Sequence, residues 1–112
     1  MQFDDYQAAA VATANADVDT IYLATKLIIE ASEATQVIIK RYYHGAPLDL
    51  LTLSEELGDT LWYIAALAHA YNIGLDDLAQ ANLAKLRRRH GTAYNPAHYT
   101  VTVDSDSDQE QP

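Results

Sequence analysis

The sequence has no proline between residues 48 and 95, and it contains only four glycines. Because proline and glycine are the residues that most often interrupt helices, long stretches without them favour an all-α fold. Turn residues and the placement of charges divide the chain into four helical segments. We predict these helices over about residues 3–14, 18–43, 48–71 and 75–90.

The second and third predicted helices each carry a stripe of apolar residues at helical spacing. Neither helix has a purely polar opposite face, since Tyr22 and Ile29 lie behind the first stripe and Trp62 lies beside the second. Helices that are apolar on more than one side are covered on more than one side. We therefore predict a four-helix bundle that associates with further copies of itself. The stripes comprise Leu27, Ile28, Ala31, Ala34, Thr35, Ile38 and Tyr42 on the second helix, and Leu50, Leu53, Leu57, Leu61, Ile64 and Ala68 on the third.

A chain of 112 residues has the length of one domain. We predict that the domain occupies residues 1–95. Residues 96–112 are expected to form an extended arm and then a disordered acidic tail, because the last nine residues are all polar or proline. The first residues do not resemble a signal peptide and no apolar run is long enough to span a bilayer, so we expect a cytoplasmic protein without a membrane partner.

Charge and cysteine content exclude several classes of site. The formal net charge of −9 argues against a nucleic-acid polymer as the partner, because binding one requires a surplus of Lys and Arg. The absence of cysteine excludes a disulfide framework, a thiolate zinc site and a cysteine nucleophile.

Two pairs of carboxylates lie on the second and third predicted helices. Glu30 and Glu33 are three residues apart, as are Glu56 and Asp59, and residues at this spacing share a helix face. If the two helices pack antiparallel, all four carboxylates converge along one seam. Converging carboxylates repel each other and are costly to desolvate without a cation, and their hard oxygens suit Mg²⁺ or Mn²⁺.

Two other interpretations compete with a magnesium site. Both pairs can instead be solvated helix surface, and the residues alone leave this alternative open. A di-iron bundle requires Glu-x-x-His on two helices. None of the four histidines stands three residues after a glutamate, so the di-iron alternative is rejected.

The sequence around these carboxylates resembles the MazG family of all-α nucleotide pyrophosphohydrolases. The pattern is carried by Glu30-Ala-Ser-Glu33, by Glu56-Leu-Gly-Asp59 within EELGDTLWYIAALA, and by the later NLAKLRRR. The resemblance covers roughly residues 4–90. It implies hydrolysis of a nucleoside triphosphate between the α- and β-phosphates, which gives a monophosphate and pyrophosphate. It also implies assembly as a homodimer or homotetramer.

The resemblance assigns roles to the four carboxylates. Glu30, Glu33, Glu56 and Asp59 would hold Mg²⁺, for which Mn²⁺ can substitute, and the ion would activate water and screen the triphosphate. A glutamate that is not fully engaged in ligation can position or deprotonate the attacking water. Glu33 is the first candidate for this catalytic role, and Glu30 is the second.

A triphosphate carries more charge than one Mg²⁺ offsets, so further polar and cationic side chains are expected to hold it. Chemistry and resemblance together assign phosphate contacts to Lys40, Tyr63, Asn82, Lys85 and Arg88. Trp62 and Gln7 are candidates for contact with the base or ribose. The alternative for Trp62 is packing in the core or an oligomer interface, and the alternative for Gln7 is an ordinary helix surface.

Motif spacing does not locate the residues that read the base. The family's tendency favours purine nucleotides, including deoxyguanosine forms. Within the same chemistry, the alternatives are a dedicated hydrolase for dUTP, dCTP or phosphoribosyl-ATP. A different class of function is a non-enzymatic helical interaction module, which the presence of all four candidate ligands disfavours.

Overall fold

The computed structural model describes residues 1–99 of the chain, with four α-helices and one short 3-10 helix. No strand is present among these residues, which confirms the all-α prediction. Residues 96–99, the first of the predicted arm, form a 3-10 turn, and the rest of the predicted arm and acidic tail lies outside the described residues. The helices are α1 (Phe3–Val11), α2 (Thr20–Tyr43), α3 (Leu50–Ala70) and α4 (Leu75–His90), followed by the 3-10 turn Pro96–Tyr99.

The helix starts follow from side-chain capping. Asp19 accepts a hydrogen bond from the backbone N–H of Tyr22 at 2.9 Å, and Asp49 accepts one from Thr52 at 3.0 Å. Each bond satisfies an N–H that has no partner inside its helix. These caps place the starts of α2 and α3 within one or two residues of the predicted positions.

The first helix ends three residues earlier than predicted. Thr13 donates its hydroxyl hydrogen to the carbonyl of Ala10 at 2.7 Å, and its backbone N–H bonds to the same carbonyl at 3.0 Å. Asn15 then accepts a hydrogen bond from the backbone N–H of Asp17 at 2.9 Å. Threonine and asparagine side chains that bond to nearby backbone compete with helical hydrogen bonding. The apolar pattern of residues 3–14 does not reveal this competition.

Helix α2 packs along α3, and α1 packs on α3. The hydroxyl of Tyr71, directly after α3, lies 3.1 Å from Oγ1 of Thr20 at the start of α2. Nearly two turns further along α2, the ammonium of Lys26 lies over the ring of Tyr63, which is about two turns back from the end of α3. Pairing the start of one helix with the end of the other makes α2 and α3 antiparallel, as the carboxylate argument requires.

The packed side of α2 differs from the predicted stripe. Its buried residues are Leu23, Glu30 and Ala34, with spacings of seven and four that define one helix face. Glu30 therefore lies in the packed face of α2. Ile28 and Tyr42, which were placed in the stripe, are 71% and 76% exposed. Within one chain the outer side of α2 is uncovered.

The core of residues 1–75 is small, and no large side chain in the described part of the chain is fully buried. Gln7 is buried at the centre of α1 and holds this core by three hydrogen bonds to backbone. The apolar cluster consists of Ala10, Ala65 and Leu75, with Tyr6, Trp62 and Ile64 packed against it.

A second compact unit begins at Asp76 and contains all of α4 except its first residue. Asp76 and Asp77 lie in the first turn of α4, and three arginines and His90 lie near its end. Both placements favour the helix dipole. Gly91 follows with a φ of +74°, the left-handed conformation that ends many helices. The predicted domain boundary after residue 95 stays a prediction.

In the described part of the chain, no helix combines the length and the apolar character needed to cross a bilayer.

Candidate functional site

Packing of α2 against α3 brings three of the four predicted carboxylate ligands together. Glu30 and Glu33 of α2 and Glu56 of α3 each offer one oxygen, and these three oxygens lie within 4.8 Å of one another. Glu30 is 9% exposed, Glu56 is half-buried and Glu33 is exposed. The cluster therefore extends from the packed helix face to solvent, with Glu33 on the outside.

The three carboxylates change the protonation of Glu56. The hydrogen bond between Glu56 and Glu33, partial burial, and the proximity of Glu30 raise the pKa of Glu56 from 4.5 to about 7. Each cause favours the neutral acid, because a third negative charge in this cluster would be both repelled and poorly hydrated. The cluster is thus poised to release a proton when a cation binds.

The donor set fits a hard divalent cation. Oε2 of Glu56 is buried and accepts no hydrogen bond from the protein, so its lone pairs have no protein partner. An orphaned buried carboxylate oxygen next to two further carboxylates is costly unless a cation satisfies it. Three carboxylates are the type of ligand that Mg²⁺ and Mn²⁺ prefer. Glu30, Glu33 and Glu56 are therefore the residues that would hold the ion.

Asp59, the fourth predicted ligand, is exposed one turn after Glu56 and does not join the other three within the same distance. It lines a small open cavity with Glu30, Trp62 and Tyr63. The predicted role of Asp59 as a metal ligand stays a prediction.

Lys26 also contacts this cluster, although no functional role was predicted for it. Its Nζ lies 3.4 Å from Oε1 of Glu30, one helical turn away, and 6.0 Å from the centroid of the Tyr63 ring. The hydrogen bond with Glu30 is the main cause that raises the pKa of Lys26, so the side chain stays cationic. The four-residue spacing was visible in the sequence, but such pairs are common on ordinary helix surfaces.

A larger cavity of about 430 Å³ lies next to the carboxylates, between the α1–α2 connection and α3. Trp62 and Tyr63 line both this cavity and the small one beside Glu30 and Asp59. Trp62 Nε1 donates a hydrogen bond to Oγ1 of Thr13 at 3.1 Å, and the rings of Trp62 and Tyr63 meet edge to face at 4.8 Å. The further lining residues include Val11, Ala14, Asn15, Val18, Tyr22 and His69.

Gln7 has its side chain engaged by the protein itself. Its Nε2 donates to the carbonyls of Ala65 at 3.1 Å and Ile73 at 3.0 Å, and its Oε1 accepts from the N–H of Leu75 at 3.0 Å. Contact with a base or ribose would require these bonds to break. The structure thus gives Gln7 a role in holding α1 to α3 and the turn after it.

The remaining predicted site residues lie on two elements. Lys40 is exposed in the last turn of α2, seven residues after Glu33. Asn82, Lys85 and Arg88 lie on α4, in the unit that begins at Asp76. Their predicted phosphate contacts stay predictions.

Comparison with known proteins identifies the family. The MazG nucleotide pyrophosphohydrolase domain matches residues 20–93, which include α2, α3, α4 and all four candidate carboxylates. The chain is also 36% identical over 101 residues to Gene 37 protein of Mycobacterium phage L5, an alignment that covers 80% of this chain and 89% of the phage protein. No solved structure matches. The chain belongs to the MazG nucleotide pyrophosphohydrolase family.

Proposed function

We propose that this protein hydrolyses nucleoside or deoxynucleoside triphosphates between the α- and β-phosphates, to give a monophosphate and pyrophosphate, with Mg²⁺ as the cofactor. The observation that carries the proposal is the group of three carboxylates from α2 and α3 within 4.8 Å, in a chain of a nucleotide pyrophosphohydrolase family. Members of this family typically depend on a divalent metal. The burial of Glu30 and the orphaned oxygen of Glu56 support the same conclusion.

Glu30, Glu33 and Glu56 would hold the ion, and Asp59 at the small cavity is the fourth candidate ligand. A cation bound there, Mg²⁺ or Mn²⁺ in its place, would supply screening of the triphosphate, polarisation of the α-phosphorus centre and a more acidic water. Glu33 is the exposed member of the cluster, so solvent reaches it first. We assign to Glu33 the positioning or deprotonation of the attacking water, with Glu30 as the alternative.

The cavity beside the carboxylates suits the nucleoside. Its volume of about 430 Å³ lies within the range of small-molecule sites, and its walls mix apolar groups with a few polar ones. Because Trp62 and Tyr63 line both cavities, a nucleoside in the larger one has its phosphates directed toward Glu30 and Asp59. The side chains that we assign to phosphate contacts, on their chemistry and the resemblance, are Lys40, Tyr63, Asn82, Lys85 and Arg88.

We propose a purine nucleotide, such as a (d)GTP, as the preferred substrate on the family's tendency alone. Dedicated hydrolysis of dUTP, dCTP or phosphoribosyl-ATP is the alternative within the same chemistry. The test is release of pyrophosphate with Mg²⁺ or Mn²⁺ across the common NTPs and dNTPs, dUTP and inosine triphosphate. Pyrophosphate together with the monophosphate is the expected product pair. Release of inorganic phosphate would overturn the α–β assignment, and inertness toward every nucleotide would overturn the activity.

We also propose that the protein works as a homodimer or homotetramer in the cytoplasm. The outer side of α2 exposes Ile21, Ile28 and Tyr42, which are spaced by seven and fourteen residues and so lie on one side of the helix. A contiguous exposed apolar side of this kind marks an association surface. A second copy of the same helix is the partner that the pattern fits.

A further inference from the structure

Lys26 lies close to the carboxylate cluster and to the two cavities proposed for the nucleotide. It is one turn before Glu30, its side chain is 29% exposed, and its Nζ lies 3.4 Å from Oε1 of Glu30. The Glu30 side chain is only 11% exposed, so few water molecules compete for this carboxylate. In the nucleotide-free protein, Lys26 therefore supplies part of the positive charge that the carboxylate cluster requires.

A divalent cation and Lys26 compete for Glu30. A magnesium ion binds carboxylate oxygens at about 2.1 Å, closer than the 3.4 Å between Nζ of Lys26 and Oε1 of Glu30. Two cations on one carboxylate group repel each other, and the repulsion is strongest where burial lowers the effective dielectric constant. Metal binding thus releases the ammonium of Lys26 from Glu30.

The released ammonium has a second partner within reach. Lys26 lies over the ring of Tyr63, and Tyr63 lines both the small carboxylate cavity and the larger cavity proposed for the nucleoside. A nucleotide that spans the two cavities must carry the phosphate next to its ribose past Tyr63. A lysine ammonium binds phosphate oxygens well as a compact point charge.

We propose that Lys26 exchanges partners: it pairs with Glu30 until a divalent cation takes that carboxylate, and it then binds the phosphate nearest the nucleoside. This inference rests on the proposed function for its second half, whereas the competition for Glu30 is independent of any substrate. Lys26 is thereby a substrate-positioning residue. In the absence of nucleotide it also lowers the affinity of the cluster for a divalent cation.

The test compares two equilibria in the same variants of the full chain. The first is binding of Mn²⁺ to the nucleotide-free protein, and the second is binding of a non-hydrolysable α,β-methylene nucleotide in the presence of Mg²⁺, both by calorimetry. Lys26→Met, which keeps the apolar stem and removes the charge, is expected to bind Mn²⁺ about threefold to tenfold more tightly and the analogue about tenfold more weakly. Lys26→Arg keeps the charge and is expected to stay within about threefold of the parent protein for the analogue.

The matched control is Arg41→Met. It changes the net charge by the same amount at a residue eleven positions beyond Glu30, about 16 Å along the helix, and is expected to leave both affinities unchanged. A change in the control equal to that in Lys26→Met would reduce the effect to overall charge and overturn the inference. Lys26→Gln gives the same comparison if the methionine variant does not fold.

Opposite shifts of the two affinities separate this role from a structural one, because loss of a helix-stabilising ion pair would weaken both or neither. If Lys26→Met binds Mn²⁺ and analogue as the parent protein does, the inference fails and the proposed function stands. If the parent protein binds Mn²⁺ but no nucleotide analogue, the proposed function fails, and the proposed contact of Lys26 with a phosphate fails as well.

Discussion

The residue with the most unusual environment is Glu56. Two neighbouring glutamates and partial burial raise the pKa of its carboxyl group to about 7, and one of its oxygens has no protein partner. A carboxylate cluster that retains a proton near neutral pH is costly for the folded chain when that proton is lost. A cation bound at the cluster would offset this cost and would therefore stabilise the fold.

We expect the metal-free protein to lose stability as the pH rises from about 4.5 to about 7. The pKa of Glu56 in the folded state lies above its ordinary value of 4.5, so the folded state binds more protons across this interval. The stabilisation is complete below pH 4.5 and is lost as the pH passes through 7. Thermal unfolding between pH 5 and 8 in the presence of a chelator measures it.

Glu56→Gln, which keeps the shape and removes the titration, is expected to flatten this pH dependence. Glu55→Gln is the matched control, because Glu55 directly precedes Glu56 in α3 and is exposed. An identical pH profile for parent protein and Glu56→Gln would contradict the assignment of the titration to Glu56.

A second residue-scale prediction concerns Gln7. Gln7→Ala removes three hydrogen bonds and leaves the buried backbone groups of Ala65 and Leu75 without their side-chain partner. We expect a loss of about 2–3 kcal/mol in the free energy of unfolding. Urea denaturation measures it, with the exposed Gln36→Ala as a control that changes stability little. Unchanged stability together with a raised KM would contradict the structural role and restore the predicted substrate contact.

The residues that the sequence predicted best are those whose role depends on local spacing. Glu30, Glu33 and Glu56 meet because two i, i+3 pairs face each other across antiparallel helices. The contact of Lys26 with Tyr63 and the hydrogen bonds of Gln7 were not predicted, because they join residues far apart in the sequence. Gln7 bonds to backbone 58–68 residues away, which no local pattern reveals.

At the scale of the helices, breakers and caps predicted the number and approximate ends of all four. The end of α1 and the packed face of α2 differ from the prediction, the first for a local reason and the second for a tertiary one. Helix α1 ends early because Thr13 bonds back to Ala10. The packed face of α2 includes Glu30 because a carboxylate cluster, and not only apolar residues, lies between α2 and α3. Hydrophobic periodicity alone places a charged residue outside the packed face.

The capping of α2 provides a test at this scale. Asp19→Ala removes the acceptor for the N–H of Tyr22 and is expected to cost about 1 kcal/mol of stability. Asp19→Asn keeps an oxygen acceptor and is expected to stay close to the parent protein. Chemical denaturation compares the three proteins. Equal losses in both variants would show that the charge, and not the hydrogen bond, supports the helix start.

At the scale of the whole molecule, one chain leaves much apolar surface uncovered. Ile21 and Ile28 of α2 are 75% and 71% exposed, and the buried core consists largely of alanine and leucine. A short chain buries a smaller fraction of its surface on folding than a long one, so association with further copies would add stabilisation. The sequence predicted association from the width of the apolar stripes, but stripes do not specify the number of copies.

We expect the parent protein to have the mass of two or four chains in light scattering. Ile28→Glu places a charge on the outer side of α2 and is expected to shift the mass toward a single chain and to lower the melting temperature. Thr35→Glu, between Ile28 and Tyr42 on the same side of the helix, is expected to change the mass in the same direction. A single-chain mass for the parent protein would contradict the proposed assembly.

The most direct test of the central claim is the rate of pyrophosphate release in carboxylate variants with the fold verified by circular dichroism. Glu30→Gln is expected to reduce the rate by about a hundredfold or more at saturating Mg²⁺, because a buried ligand of the cluster is lost. The exposed Glu55→Gln is expected to retain the parent rate. Undiminished pyrophosphate release by Glu30→Gln would contradict the claim that the cluster on α2 and α3 is the active site.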